Sequence, residues 1–172
     1  MAVDLTISVR ALLADSLAQD LGSNVATYLM EYPGTLGTGN YTTGTANNMQ
    51  NKCWTDTRTL VATAETLDLY GGLTDAHGTS INFIEVRGIY VKNRATAGAS
   101  VLIVGNGTNP SYGGLFFSAA DRIKVAASGI FLWTAPLDSG GLVVTNTTAQ
   151  DFKIDSGAAT ITYDIAIWGV DA

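Results

Sequence analysis

Charge is scarce in this sequence, and so are cysteine, histidine and proline. A single cysteine, Cys53, excludes an internal disulfide and leaves no cysteine pair to hold zinc. A single histidine, His77, means that any Ser-His-Asp or Cys-His arrangement would have to use it, with Asp75 beside it and Cys53 or a serine brought from elsewhere. His77 lies in DAHG, a turn-like stretch where a polar residue needs no special reason, and no G-x-S-x-G elbow presents a nucleophile. Lys and Arg number 9 against 15 Asp and Glu, a net charge of −6. A chain this acidic offers no basic face to a polyphosphate, so nucleic acid is not an expected partner. No run approaches the roughly 18–20 apolar residues that a helical membrane crossing needs. The opening MAVDLTISVR carries Asp4 and no apolar core of the kind a secretory signal has, so the expectation is a soluble protein made in the cytoplasm, with no membrane partner.

Hydrophobic residues make up 47% of the 172, and 19 glycines are spread along the chain with no strict period. Such a chain is long enough to bury roughly two thirds of its unfolded surface in one domain. Its glycines fit turns between short strands better than a fibrous repeat. The centre of the pattern is Ile81–Val104, two β-branched runs (Ile81–Val91 and Val101–Val104) joined by the small polar link Lys92–Ser100. That is a strand, a loop and a strand, too apolar to lie on an open surface.

Upstream, Val3–Val9 alternates and predicts a strand. Arg10–Leu21 admits two readings. Val9, Leu13, Leu17 and Leu21 recur every four residues and Gly22 is placed to end a helix, yet ALLADSL also continues the first strand. Val25–Tyr32 predicts a strand that Pro33-Gly34 stops. Gly34–Gln50 is uncharged, rich in Gly, Thr and Asn and aperiodic, which predicts a long surface loop or an arm that orders on a neighbouring subunit. One helical turn would fit within Ala46–Trp54.

From Trp54 the chain reads as one continuous sandwich. Thr57–Leu69 alternates, Gly71-Gly72 predicts a turn, and Asp75–Gly78 predicts a loop. Short strands follow at Leu115–Ser118, Arg122–Val125, Ile130–Ala135, Leu142–Thr145, Phe152–Asp155 and Thr160–Trp168. Asn109-Pro110, Ser128-Gly129, Ser139–Gly141 and Ser156-Gly157 separate them. Many short strands at 8–12-residue spacing, with no alternating helices, predict an all-β fold: a β-sandwich, read as a jelly roll rather than immunoglobulin-like. Residues 1–53 would be the N-terminal arm, first strands and long loop, packed with a body spanning 54–172 in a single domain.

The remaining motifs are weak. Val104–Pro110 (VGNGTNP) lacks the third glycine of a dinucleotide loop and the Lys-Ser/Thr of a P-loop, so a hairpin connection explains it. The acids Asp56, Glu65, Asp68, Asp75, Glu85, Asp121, Asp138, Asp151, Asp155 and Asp164 form no calcium loop, and no metal or cofactor is expected. Glycosidase-like pairing of two of them would need the fold to bring them together. The glycosylation-like triplets at Asn40, Asn106 and Asn146 carry little meaning without a secretory signal. Of the aromatics Tyr28, Tyr32, Tyr41, Trp54, Tyr112, Phe116 and Phe117, most suit a core or an interface. Tyr41 and Tyr112, in Gly- and Asn-rich loops, are the two expected to be exposed.

One series of residues is familiar as a whole. Trp54-Thr-Asp-Thr-Arg-Thr-Leu60 is followed by Leu67-Asp-Leu69, Gly72-Leu-Thr-Asp75 and Phe83. Then come Val86, Ile89-Tyr-Val-Lys92, Val104-Gly105, Asp121, Val125, Gly129-Ile-Phe-Leu132, Ala135-Pro136 and Thr162-Tyr-Asp-Ile165. In order and spacing this resembles a group of small β-rich virion structural proteins of tailed phages and prophages, from about Trp54 to the C-terminus. The first fifty residues match only loosely. Ser128-Gly129-Ile130 departs from the pattern, where a Pro-Gly-Gly turn is expected. The resemblance implies no enzyme but a particle component, associated more with head decoration than with tails. Its expected partners are the major capsid protein and further copies of itself. A homotrimer is expected, since jelly-roll subunits often close into threefold rings. The acidic charge favours the capsid exterior. Candidate contacts are Val3, Leu5 and Ile7 on an N-terminal strand that adds to a neighbour's sheet edge, with Tyr41 and Tyr112 in the loops. The alternative is a tail-associated or fibre-like protein that binds a host glycan through those tyrosines.

Overall fold

A computed structural model describes residues 5–6, 9–19, 22–32, 40–43, 45–46, 49–75, 78–105, 115–116, 121–135 and 141–172. Among the described residues it contains fifteen strands and no helix. The first five are β1 (Leu5–Thr6), β2 (Val9–Gln19), β3 (Gly22–Tyr32), β4 (Asn40–Thr43) and β5 (Met49–Gln50). The body begins with β6 (Lys52–Val61), β7 (Ala64–Asp68), β8 (Tyr70–Thr74), β9 (Ser80–Asn93) and β10 (Leu102–Gly105). It ends with β11 (Arg122–Val125), β12 (Ile130–Thr134), β13 (Leu142–Val143), β14 (Asp151–Asp155) and β15 (Thr160–Asp171).

The body is a sandwich of two antiparallel sheets. One runs β12-β9-β15-β6, with β13 and β8 also on β9; the other runs β11-β10-β14-β7. Four of the pairings are nested. β6 pairs with β15, β7 with β14, β9 with β12 and β10 with β11, as if the chain were folded in half and the double ribbon then rolled up. Alternation supplies the core. Leu60, Ile89, Val91, Ile161, Tyr163, Ile165 and Ile167 face inward from the larger sheet and meet Leu67, Leu102, Val104, Val125, Phe152 and Ile154 from the smaller.

Where the ribbon crosses between sheets, a buried polar side chain ties its two strands together. Asn93 donates through Nδ2 to the carbonyls of Ser100 and Val125 (2.9 and 3.0 Å), and its Oδ1 accepts from the Ala95 amide at 2.9 Å. At the other crossing, Ser156 Oγ donates to Thr63 O at 2.9 Å and accepts from the Thr63 amide at 3.2 Å. Both side chains are buried and both are satisfied, as burial of a polar group requires.

Several expectations change. Of the two readings of Arg10–Leu21 the strand holds for residues 9–19: β2 pairs with β3 through eleven successive partners from Val9↔Tyr32 to Gln19↔Gly22. Gly34–Gln50 is not wholly loop, since β4 and β5 fall within it and pair in parallel. Ala46–Trp54 holds β5 and the start of β6 where one helical turn would have fitted. Gly71-Gly72 is a two-residue irregularity inside the β8–β9 pairing instead of a turn between strands. Gly71 takes φ 102°, which suits glycine. The Ser128-Gly129 turn forms, with Ser128 at φ 59°, and its amide donates to Ala95 O at 2.9 Å. His77, Asn109-Pro110 and Pro136 lie outside the described residues.

Candidate functional site

The outward face of the larger sheet is built from rows that cross four strands. One row is Thr57, Asp164, Lys92 and Ile130; the next is Thr55, Ala166, Tyr90 and Leu132. Asp164, Ala166, Lys92 and Tyr90 each sit between buried residues, so the period of two sets them outward. Hydroxyls bridge neighbouring strands, Thr57 Oγ1 donating to Asp164 Oδ1 at 2.8 Å and Thr59 pairing with Thr162 at 2.9 Å. Apolar side chains stand among them, Ile130 at 58% and Val61 at 66% exposure. Arg94 meets Asp164 at 3.3 Å, and Lys92 stands beside Asp164 in the same row.

The second constellation sits at the end of this sheet, where β9 carries two bulges. Against β15, Trp168 opposes Gly88 and Gly169 opposes Val86, so Arg87 is an extra residue. Val170 opposes Glu85 and Asp171 opposes Phe83, so Ile84 is another. A bulge re-aims the side chain it inserts. Arg87 is fully buried. Its Nε and Nη2 reach Glu85 Oε2 at 3.3 and 2.9 Å, and its Nη1 and Nη2 donate to the carbonyls of Ala46 and Thr45 at 2.5 and 2.6 Å. Glu85 Oε1 accepts from the Gly141 amide at 2.9 Å. Gly88, Gly141 and Gly169 make room here: a Cβ on Gly88 would stand 1.9 Å from the Trp168 ring, and one on Gly169 2.1 Å from Glu85 O. Nearby, Asn51 and Asp171 exchange bonds (Asp171 N to Asn51 Oδ1, 2.7 Å; Asn51 Nδ2 to Asp171 O, 3.3 Å), and Lys52 Nζ lies 3.0 Å from Asp75 Oδ2.

A third cluster lies at the rim, where Tyr163 reaches out of the core. Its hydroxyl donates to Glu65 Oε1, while Arg58 holds Glu65 Oε2 at 2.7 Å and Asp56 at 3.0 Å. Burial, then the Glu65 carboxylate, pushes the Tyr163 phenol far above its ordinary range. It therefore serves as a hydrogen-bond donor. Burial also raises the Cys53 thiol, the opposite of what an activated nucleophile needs. Among the described residues, no three His, Cys, Asp or Glu side chains converge to hold a metal. The chemistry of these clusters is to fasten strands.

Of the contact residues expected from sequence, Leu5 and Tyr41 come together as register partners of β1 and β4, joined within one chain. Val3, Ile7 and Tyr112 lie outside the described residues. Trp54 and Phe116 are core. Sequence reading missed Arg87. Its signal was present: a charge followed by glycine inside an otherwise apolar strand marks a bulge.

Fold and geometry together define an antiparallel β-sandwich whose polar clusters bind its own strands. No protein-family model matches the sequence, nor does any curated protein.

Proposed function

We propose that this chain is a structural protein of a phage-type particle, a jelly roll that decorates the capsid exterior as a homotrimer and has no catalytic role. The observation that carries the reading is the nested strand order. Numbered along the chain, the eight paired strands run 1-8-3-6 in one sheet and 2-7-4-5 in the other. Double-sheet jelly rolls are recurrent in viral shells and lectins. Fold alone does not fix function. Three further features favour a particle component: the residues that resemble phage virion proteins, ion pairs that satisfy one another, and a broad face of hydroxyls and aliphatics on the larger sheet. Such a face suits contact with like subunits or with a shell, where main-chain and apolar contacts dominate. A decoration protein binds the assembled shell and not its separated subunits, and so adds its binding free energy to the stability of the shell.

Cryo-electron microscopy of purified particles that contain this protein tests the reading. Many copies at threefold or quasi-threefold positions on the shell are expected. A few copies, or rings along a tail, would replace decoration with tail architecture or glycan-dependent adhesion.

A further inference from the structure

Just before β6 the chain is fastened to the sandwich at two places. Upstream, the Arg87 guanidinium holds the carbonyls of Thr45 and Ala46, two residues whose own side chains are exposed. Downstream, the Asn51 amide donates to Gly169 O at 3.1 Å, and the Asn51 side chain is doubly bonded to the Asp171 backbone. Between these fastenings sits Gln50, completely buried, with neither Oε1 nor Nε2 hydrogen-bonded among the described residues. The seated segment therefore combines favourable polar ties with a buried amide that water would satisfy better.

We propose that the segment carrying Thr45, Ala46 and Gln50 is a latch that opens as a unit while the sandwich stays folded, with Arg87 as its catch. Arg87 is suited to reversible release because its counter-ion belongs to the body. Glu85 Oε2 accepts from both Nε and Nη2 of Arg87, and Glu85 Oε1 is anchored by Gly141. When the latch opens, Arg87 loses two carbonyl partners and keeps its carboxylate, so no charge is orphaned. Gln50 opposes the catch, since its amide gains hydrogen bonds as soon as it reaches water. Opening would free β5, and β4 paired with it, from β15 and leave the nested core intact. Such a device decides when the N-terminal region is free to engage something else.

Amide hydrogen exchange on the full-length protein reads this directly. The Asn51 amide reports the latch, and the interior amides of β9 and β15 report the sandwich. Asn51 is expected to exchange at least tenfold faster than those interior amides. R87K keeps a charge beside Glu85 but cannot grip both carbonyls in the same fork, so it should speed Asn51 exchange about tenfold further without moving the interior amides. Q50M removes the unsatisfied amide at similar size and should slow Asn51 exchange. Exchange of Asn51 in step with the interior amides, unmoved by either variant, would overturn the latch. Should R87K fail to fold, Q50M decides: slower Asn51 exchange supports the proposal, and unchanged exchange overturns it.

Discussion

Asp68 and Asp151 face each other across β7 and β14 as direct register partners. Like charges so placed repel, and the structure relieves only one of them: Asp68 Oδ1 accepts from the Tyr70 amide at 2.8 Å. Partial burial, then the Asp68 charge, raises the Asp151 carboxyl above its ordinary value. A carboxyl whose folded pKa is raised favours the folded state when protonated. Its contribution is fully present below the unfolded pKa of about 4 and is lost as pH rises through the folded value. At neutral pH the ionised Asp151 is therefore a small liability. Replacing it, Asp151→Asn, should stabilise the protein by a few tenths of a kcal/mol at pH 7, in the range of an exposed cross-strand pair. The gain should vanish when urea unfolding is repeated near pH 3. An equal gain at both pH values would remove the electrostatic explanation. Both acids are among those that the fold might bring together, and only the register shows that they meet.

Among the elements, β9 was the most legible in sequence and is the most connected in the structure. Its apolar run predicted a buried strand over Ile81–Val91, and the strand extends over Ser80–Asn93 with β15 on one edge and β12 and then β13 on the other. Periodicity could not show the two bulges, because a bulge shifts the inward set from Ile81 and Phe83 to Val86 and back to Ile89 and Val91. Residues 10–21 stayed open between helix and strand for a different reason. Val9, Leu13 and Leu17 recur every four residues, and four is near the helical repeat and also twice the strand repeat, so one spacing satisfies both. The pairing with β3 decides the matter, and a partner strand is not written in local spacing. Within β9, Gly88 lies beneath Trp168, the arrangement in which an aromatic ring covers a strand glycine. Gly88→Ala would drive a methyl into that ring, and overpacking of this kind costs about 1–3 kcal/mol. Chemical denaturation should show that loss. Gly88→Ala combined with Trp168→Leu should then cost less than the two single changes summed; strict additivity would mean that the ring does not limit the site.

For the whole molecule, the sandwich was legible as a class and its wiring was not. Alternation and turn residues were enough for many short antiparallel strands, and the ribbon crossings at Lys92–Ser100 and Ser156-Gly157 were marked by polar and small residues. What joins Lys52–Val61 to Thr160–Asp171 is a match of two surfaces about a hundred residues apart in the chain, and no local pattern encodes it. The same holds for the clamp on Thr45 and Ala46. The wiring has a consequence for autonomy. The nested pairings close entirely within β6 to β15. By contrast β2 and β3 form a two-stranded sheet that, among the described residues, no third strand joins. An isolated hairpin is marginal in water at best, whatever its length. Deleting residues 1–43 should therefore leave the sandwich folded, with a cooperative thermal transition within a few degrees of the full chain, a shift equivalent to about 1 kcal/mol or less for a domain of this size. If the hairpin gains its stability from other copies, the shortened protein should also sediment as a smaller species than the full chain at equal concentration. A collapse of the thermal transition would show that the N-terminal strands belong to the folding unit, and an unchanged sedimentation coefficient per unit mass would move self-association to the broad face of the larger sheet.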